Sequence, residues 1–105
     1  MSLSNAVFSA KVVKDPEKRF TQDNVPVTNF TVDVASRRND GPNYVRIIAW
    51  KNLADSCAEK VKKGQTVILT GRLQTNVYKD SASGMDKKVI ELEASNVEVI
   101  PSGGS

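Results

Sequence analysis

One stretch gathers the residue types able to hold a ligand: Tyr44-Val45-Arg46-Ile47-Ile48-Ala49-Trp50. In an extended strand successive side chains alternate between faces. Val45, Ile47 and Ala49 then share one face, small and apolar, fit for a core. Tyr44, Arg46, Ile48 and Trp50 share the other. Two large rings with a guanidinium between them are costly to leave in water without a use. Such rings offer a π-face to any nucleobase, and an arginine reaches the phosphate between neighbouring nucleotides. The plain alternative is that Tyr44 and Trp50 lie under a loop, a helix or a second subunit.

The charges lean the same way. The 105 residues carry Lys+Arg 15 against Asp+Glu 12, a formal net charge of +3. That sum conceals a segregation. Residues 37–88 hold eleven basic and five acidic side chains, and the rest of the chain holds four basic and seven acidic. Arg37 and Arg38 precede the aromatic strand and Lys51 follows it. Arg72 falls on the outward side of the next strand. Tyr78 and Lys79 begin the last hairpin loop, and Lys87 and Lys88 end it. Basic groups interleaved with aromatics match a surface that tracks a single-stranded nucleic-acid backbone while stacking its bases.

Other chemistry is poorly supplied. There is no histidine and a single cysteine, Cys57. No Ser–His–Asp or Cys–His nucleophile can form within the chain, nor a four-ligand zinc site, nor an internal disulfide. Glu91 and Glu93 share a strand face, an arrangement that alternation makes routine, and nothing nearby argues for acid–base work. Gly84 belongs to a turn, because no phosphate-loop spacing surrounds it. The expectations are therefore no enzyme activity, no cofactor and no metal.

The elements needed to position that face can be read from periodicity. Val7 to Val13 is the first strand, followed by turns at Asp15-Pro16-Glu17 and Asp23-Asn24. Val27 to Val34 alternates Phe30, Val32 and Val34 against Asn29, Thr31 and Asp33. Tyr44 to Trp50 is the third strand, Thr66 to Leu73 the fourth, and Val89–Ala94 with Val97 and Val99 the last. A helix lies between the third and fourth. Asn52 suits its N-cap, Gly64 its C′ position, and Leu53, Cys57 and Val61 give it an apolar stripe. The expected fold is all-β: a five-stranded Greek-key OB-fold barrel with one short helix between strands 3 and 4. Residues 1–100 form the domain, and 101–105, Pro101-Ser102-Gly103-Gly104-Ser105, read as a flexible C-terminal tail. No signal peptide or membrane-spanning run is apparent, which implies a cytoplasmic protein.

Several segments together carry a family likeness: Asp15-Pro16-Glu17-Lys18-Arg19-Phe20, Val27–Ser36, Tyr44–Lys51 with Leu53-Ala54, Lys63-Gly64-Gln65, and Gly71-Arg72-Leu73-Gln74-Thr75. Over about residues 5–100 the chain resembles the bacterial-type single-stranded DNA-binding proteins. That resemblance implies a nucleoid-associated binder of single-stranded DNA with little sequence specificity, protecting it in DNA replication, recombination and repair. It implies DNA stacking by Tyr44, Trp50 and Tyr78, with Phe20 at an aromatic position near the groove. Arg46 and Arg72 match its polar or basic groove positions. Arg37, Arg38, Lys51, Lys79 and Lys87 are added as phosphate contacts from charge and placement. The family is commonly homotetrameric, and a dimer is the alternative. Two departures stand out. The family often has a further stacking tryptophan between strands two and three, where this chain offers Arg37 and Arg38. The family's tail usually ends in an acidic tip that recruits partners, whereas this chain stops at Gly104-Ser105, so no such recruitment is expected of it. A rival reading is a primosome-type OB assembly module with weak DNA binding; a metal-dependent nuclease would need clustered carboxylates that the sequence lacks.

Overall fold

Strand alternation and a small apolar set on each inward face dictate a sheet that closes on itself. The computed structural model describes residues 4–34 and 43–101. Among these, the order is β1 (Ser4–Phe20), β2 (Pro26–Asp33), β3 (Tyr44–Trp50), α1 (Asn52–Lys60), β4 (Thr66–Lys79) and β5 (Asp86–Ile100). The strands form a closed barrel in the order β1-β2-β3-β5-β4. All neighbours are antiparallel except β3 and β5, which run parallel over Arg46–Glu91, Ile47–Leu92 and Ile48–Glu93. This is the expected OB-type barrel with its helix between β3 and β4.

The core is what the inward positions provide. Val12, Phe30, Val32, Val45, Ile47, Ala49, Val67, Leu69 and Leu92 are buried together. Truncating a fully buried aliphatic such as Ile47 or Leu69 to alanine costs about 2–5 kcal/mol. Helix α1 closes one end of the barrel with Ala54 and Cys57, and Val61 follows them into the core. Thr28, fully buried on β2, donates its hydroxyl to the Ala54 carbonyl at 2.7 Å. Lys18 on β1 pairs with Asp55 of the helix at 2.7 Å. No helix among the described residues is long and apolar enough to cross a membrane.

Three local expectations need correction. Asp15-Pro16-Glu17 does not reverse the chain; it lies within β1, where the register with β2 shifts between Lys14 and Glu17. Proline has no N–H to give a ladder, so it sits where the ladder is already broken. The Asp15 carboxylate is taken instead by the Lys63 N–H at 2.8 Å. The helix is displaced at both ends. Lys51, at φ 59°, is the N-cap residue and Asn52 is already helical. The Lys51 N–H donates to the Pro26 carbonyl, which holds β3's end in the sheet until the chain turns. At the other end Val61 is extended, so the helix stops at Lys60. Gly64, at φ 95°, serves the next turn, where its N–H reaches the Val12 carbonyl. Finally, β4 runs on to Lys79 and β5 begins at Asp86, so both strands extend as a long hairpin well past the predicted fourth strand.

Candidate nucleic-acid interface

Strand β3 presents its two faces as its alternation requires. Val45, Ile47 and Ala49 are buried, whereas Tyr44 is 58 % and Trp50 39 % exposed, with Arg46 and Ile48 between them half-buried. At about 3.4 Å per residue, Tyr44 and Trp50 stand roughly 20 Å apart along the strand. Register extends this outward face sideways. Lys14, Thr31, Arg46, Glu91 and Gln74 form one row across β1, β2, β3, β5 and β4. Arg19, Val27 and Trp50 form another.

Two hollows flank Arg46. On the β5 side, Thr31, Tyr44, Arg46, Lys87, Lys88 and Ile90 line a groove of about 390 Å³. On the β1 side, Lys14, Glu17, Asn29, Thr31 and Arg46 line a smaller one of about 250 Å³. The long hairpin brings Tyr78 and Lys87 together by register, so both stand on the same face of it. Its turn is tight: the Gly84 N–H donates to the Asp80 carbonyl at 2.7 Å, and Gly84 takes φ 73°. The Asp80 carboxylate accepts from the Ala82 N–H and the Ser83 hydroxyl, which hold it below the usual carboxylate range.

The expected site residues divide accordingly. Tyr44, Arg46 and Lys87 meet in one groove, and Trp50 lies further along the same strand face. Tyr78, 43 % exposed, is joined to Arg46 through a shared partner, Glu91. Lys51 is exposed beside Trp50. Lys79 pairs with Asp86 and falls on the hairpin face opposite Tyr78 and Lys87. Arg72 lies opposite Glu93 and lines a separate hollow with Asn5, Val7 and Ser95. Phe20 is exposed, with Lys18 Nζ 5.2 Å from its ring centre. Register pairs it with Pro26, one position off the row of Arg19, Val27 and Trp50. Arg37 and Arg38 lie outside the described residues.

Sequence reading missed Lys14 and Arg19 on this face, because the β1 bulge changes the parity of alternation that would have revealed them. It also missed the part played by Glu91. The signal was its place on the face shared with Glu93, but seeing its partners required the register of β5 against β4 and, for Arg46, the parallel pairing of β5 with β3. Glu91 and Glu93 stand in different surroundings: Glu91 is enclosed by hydrogen-bonding neighbours and Glu93 is exposed. Among the described residues no group of three His, Cys, Asp or Glu side chains is placed to hold a metal ion. Cys57 is buried, and burial raises its thiol pKa to about 11, an unreactive state at neutral pH.

Fold and face together define an OB barrel with an aromatic and cationic outer surface. The sequence matches the Single-strand binding protein family over residues 3–100, and the chain belongs to that family. It is 37% identical to the single-stranded DNA-binding protein of Caldanaerobacter subterraneus, over 97% of this chain and 71% of that one. It is 34% identical to the thylakoid-associated single-stranded DNA-binding protein of a Synechocystis species, over 96% of this chain and 79% of that one. Among solved structures, the SSB domain of a Synechococcus protein superposes with a TM-score of 0.73 at 26% identity, covering 91% of this chain and 94% of that one. A small single-stranded DNA-binding protein from Streptomyces coelicolor shares the fold, with a TM-score of 0.79 at 18% identity over 95% and 96% of the two chains.

Proposed function

We propose that this protein binds single-stranded DNA with little sequence preference and without catalysis, through base stacking and phosphate neutralisation. The observation that carries the reading is the outward face of β3. Tyr44, Arg46 and Trp50 project from one strand beside a groove edged by Lys87 and Lys88. Tyr44, Trp50 and Tyr78 are the stacking residues, with Phe20 a peripheral one. Lys51, Lys87 and Lys88 are the nearest phosphate partners, Arg72 and Lys79 are outlying ones, and Arg37 and Arg38 are assigned the same role from their charge and place in the sequence alone. Residues 1–100 act as the binding domain. The biological role that follows is protection of exposed strands in replication, recombination and repair, in the cytoplasm at the nucleoid. The working assembly is a homotetramer.

Trp50 is the single tryptophan, so its fluorescence reports directly on the proposed face. Titration with oligo-dT across a salt series, with duplex DNA and native mass measured in parallel, tests the reading. Saturable quenching that weakens linearly in log salt is expected, with much weaker duplex binding. Absence of both quenching and a gel shift at low salt would sink it. Weak DNA binding by a stable dimer would favour an assembly module instead.

A further inference from the structure

Glu91 is 1 % exposed although its register position, opposite Arg46 and Gln74, faces outward from the barrel. A carboxylate there would ordinarily be hydrated. This one is roofed by side chains from the two flanking strands. Its Oε1 accepts from Gln74 Nε2 at 3.4 Å and from Asn76 Nδ2. Its Oε2 accepts the Tyr78 hydroxyl at 2.8 Å and lies 3.7 Å from Arg46 Nη1. Gln74, Asn76 and Tyr78 are alternate residues of β4, all donating to one group. A buried charge is tolerated only when so satisfied.

We infer that Glu91 is a positioning residue for the stacking face: it fixes the Tyr78 ring and holds the Arg46 guanidinium as part of the floor on which bases lie. This rests on the DNA-binding reading. A half-exposed tyrosine left untethered would sample several tilts, and each must be given up when a base stacks on it. Tethering removes that ordering cost before the ligand arrives. Arg46 is partly neutralised by the carboxylate beneath it, so its pull on a phosphate is reduced while its planar face remains available for stacking. Phosphate neutralisation then falls chiefly to lysines at the rim, Lys87 and Lys88.

Simple electrostatics makes the opposite forecast. A negative charge in a groove for a polyanion repels it, and removing that charge should tighten binding. Glu91→Gln keeps the size and removes the charge; Tyr78→Phe keeps the ring and removes the tether. With oligo-dT and Trp50 fluorescence, each should weaken binding by about three- to tenfold, a fraction of one stacked base. The double variant should be no more than about twofold weaker than Glu91→Gln alone, because the Tyr78 link that Tyr78→Phe removes is one that Glu91→Gln already disrupts. Arg46→Ala should lower the salt slope by well under the roughly 0.7 that a full phosphate contact contributes. The Tyr78 phenol offers a readout independent of DNA. Its pKa is raised, first by the hydrogen bond to Glu91, and ultraviolet titration should show it falling in Glu91→Gln.

Glu91→Gln binding as tightly as wild type or tighter, multiplying losses in the double variant, or an unmoved phenol titration would each overturn the inference. Should Glu91→Gln fail to fold, Tyr78→Phe decides through affinity alone, and wild-type affinity in it overturns the idea. A wild-type chain that binds no oligo-dT overturns the DNA reading and this inference with it. A wild type that binds while Glu91→Gln binds equally well overturns the inference only.

Discussion

Replacing Gly71 by alanine should destabilise the barrel severely, for want of space rather than backbone strain. Gly71 lies on β4 between Ala6 of β1 and Ala94 of β5, beside the register shift at Thr70. A Cβ built there would stand 2.2 Å from the Glu93 carbonyl oxygen, 2.8 Å from the Ala94 Cα and 2.9 Å from the Glu93 carbonyl carbon. An ordinary carbon–oxygen contact is about 3.3 Å, so roughly 1 Å of overlap must be relieved. Every atom in the way is backbone, held in a ladder on a closed barrel, so no rotamer change can help. Overpacking costs about 1–3 kcal/mol where side chains can adjust, and this site belongs at the top of that range. With about 4–8 °C lost per kcal/mol in a domain of this size, Tm should fall by roughly 12–24 °C. Far-ultraviolet circular dichroism melts of wild type and Gly71→Ala measure it. A Tm within about 3 °C of wild type would show that β5 has room to move and would refute the steric reasoning. Because Glu93 is two residues from Glu91, the folded fraction should also bind oligo-dT more weakly.

Further outcomes follow from the exposed face and from the core. Tyr44→Ala should weaken oligo-dT binding by about 1–3 kcal/mol, roughly five- to 150-fold, as read by Trp50 quenching. Lys87→Ala should weaken binding at low salt and reduce the slope of log affinity against log salt by about 0.7, whatever the base composition of the oligonucleotide. Cys57 should resist maleimide in the folded chain at neutral pH and react on unfolding, as mass spectrometry would detect. Its pKa is raised from 9.0 to about 11 by burial, so between these values the unfolded chain sheds a proton that the folded chain keeps. Stability should therefore fall as pH rises from 9 towards 11, and Cys57→Ala should flatten that decline in denaturant titrations.

Much of this was legible because period-2 patterning is local. The run from Tyr44 to Trp50 alternates without interruption, and its strand, inward set and outward set stand where alternation places them. The same logic found Phe30 and Val32 on β2. What failed was what depends on partners distant in the chain. Asp15-Pro16-Glu17 has turn chemistry, but β2 on one side and Lys63 on the other hold it extended. The stop signal at Gly64 was real, yet it belonged to a turn whose N–H is captured by Val12. The hairpin beyond Leu73 is polar on the outside and thin in apolar residues, so pattern alone gave no reason to continue the strand; cross-strand pairing from Gln74 to Lys79 supplies it. Among the candidate residues, those on β3 could be read directly. The tie between Tyr78 and Arg46 could not, since it runs through a parallel neighbour forty-five positions along from Arg46.

That parallel contact has a mechanical meaning. The barrel is sealed by β3 against β5 over only three residue pairs, Arg46–Glu91 to Ile48–Glu93, whereas β4 and β5 pair along nearly their whole length. The shortest zip in a ring is where it should first come undone, and amide exchange at Arg46 to Ile48 should report openings of lower free energy than the strands opposite. The groove straddles that zip. A strand of DNA laid from Tyr44 across to Lys87 would fasten both sides at once and bind only the shut ring. Each tenfold rise in free DNA above the dissociation constant would then add about 1.4 kcal/mol to the closed form. The ligand would thus act as the clasp of the barrel that holds it.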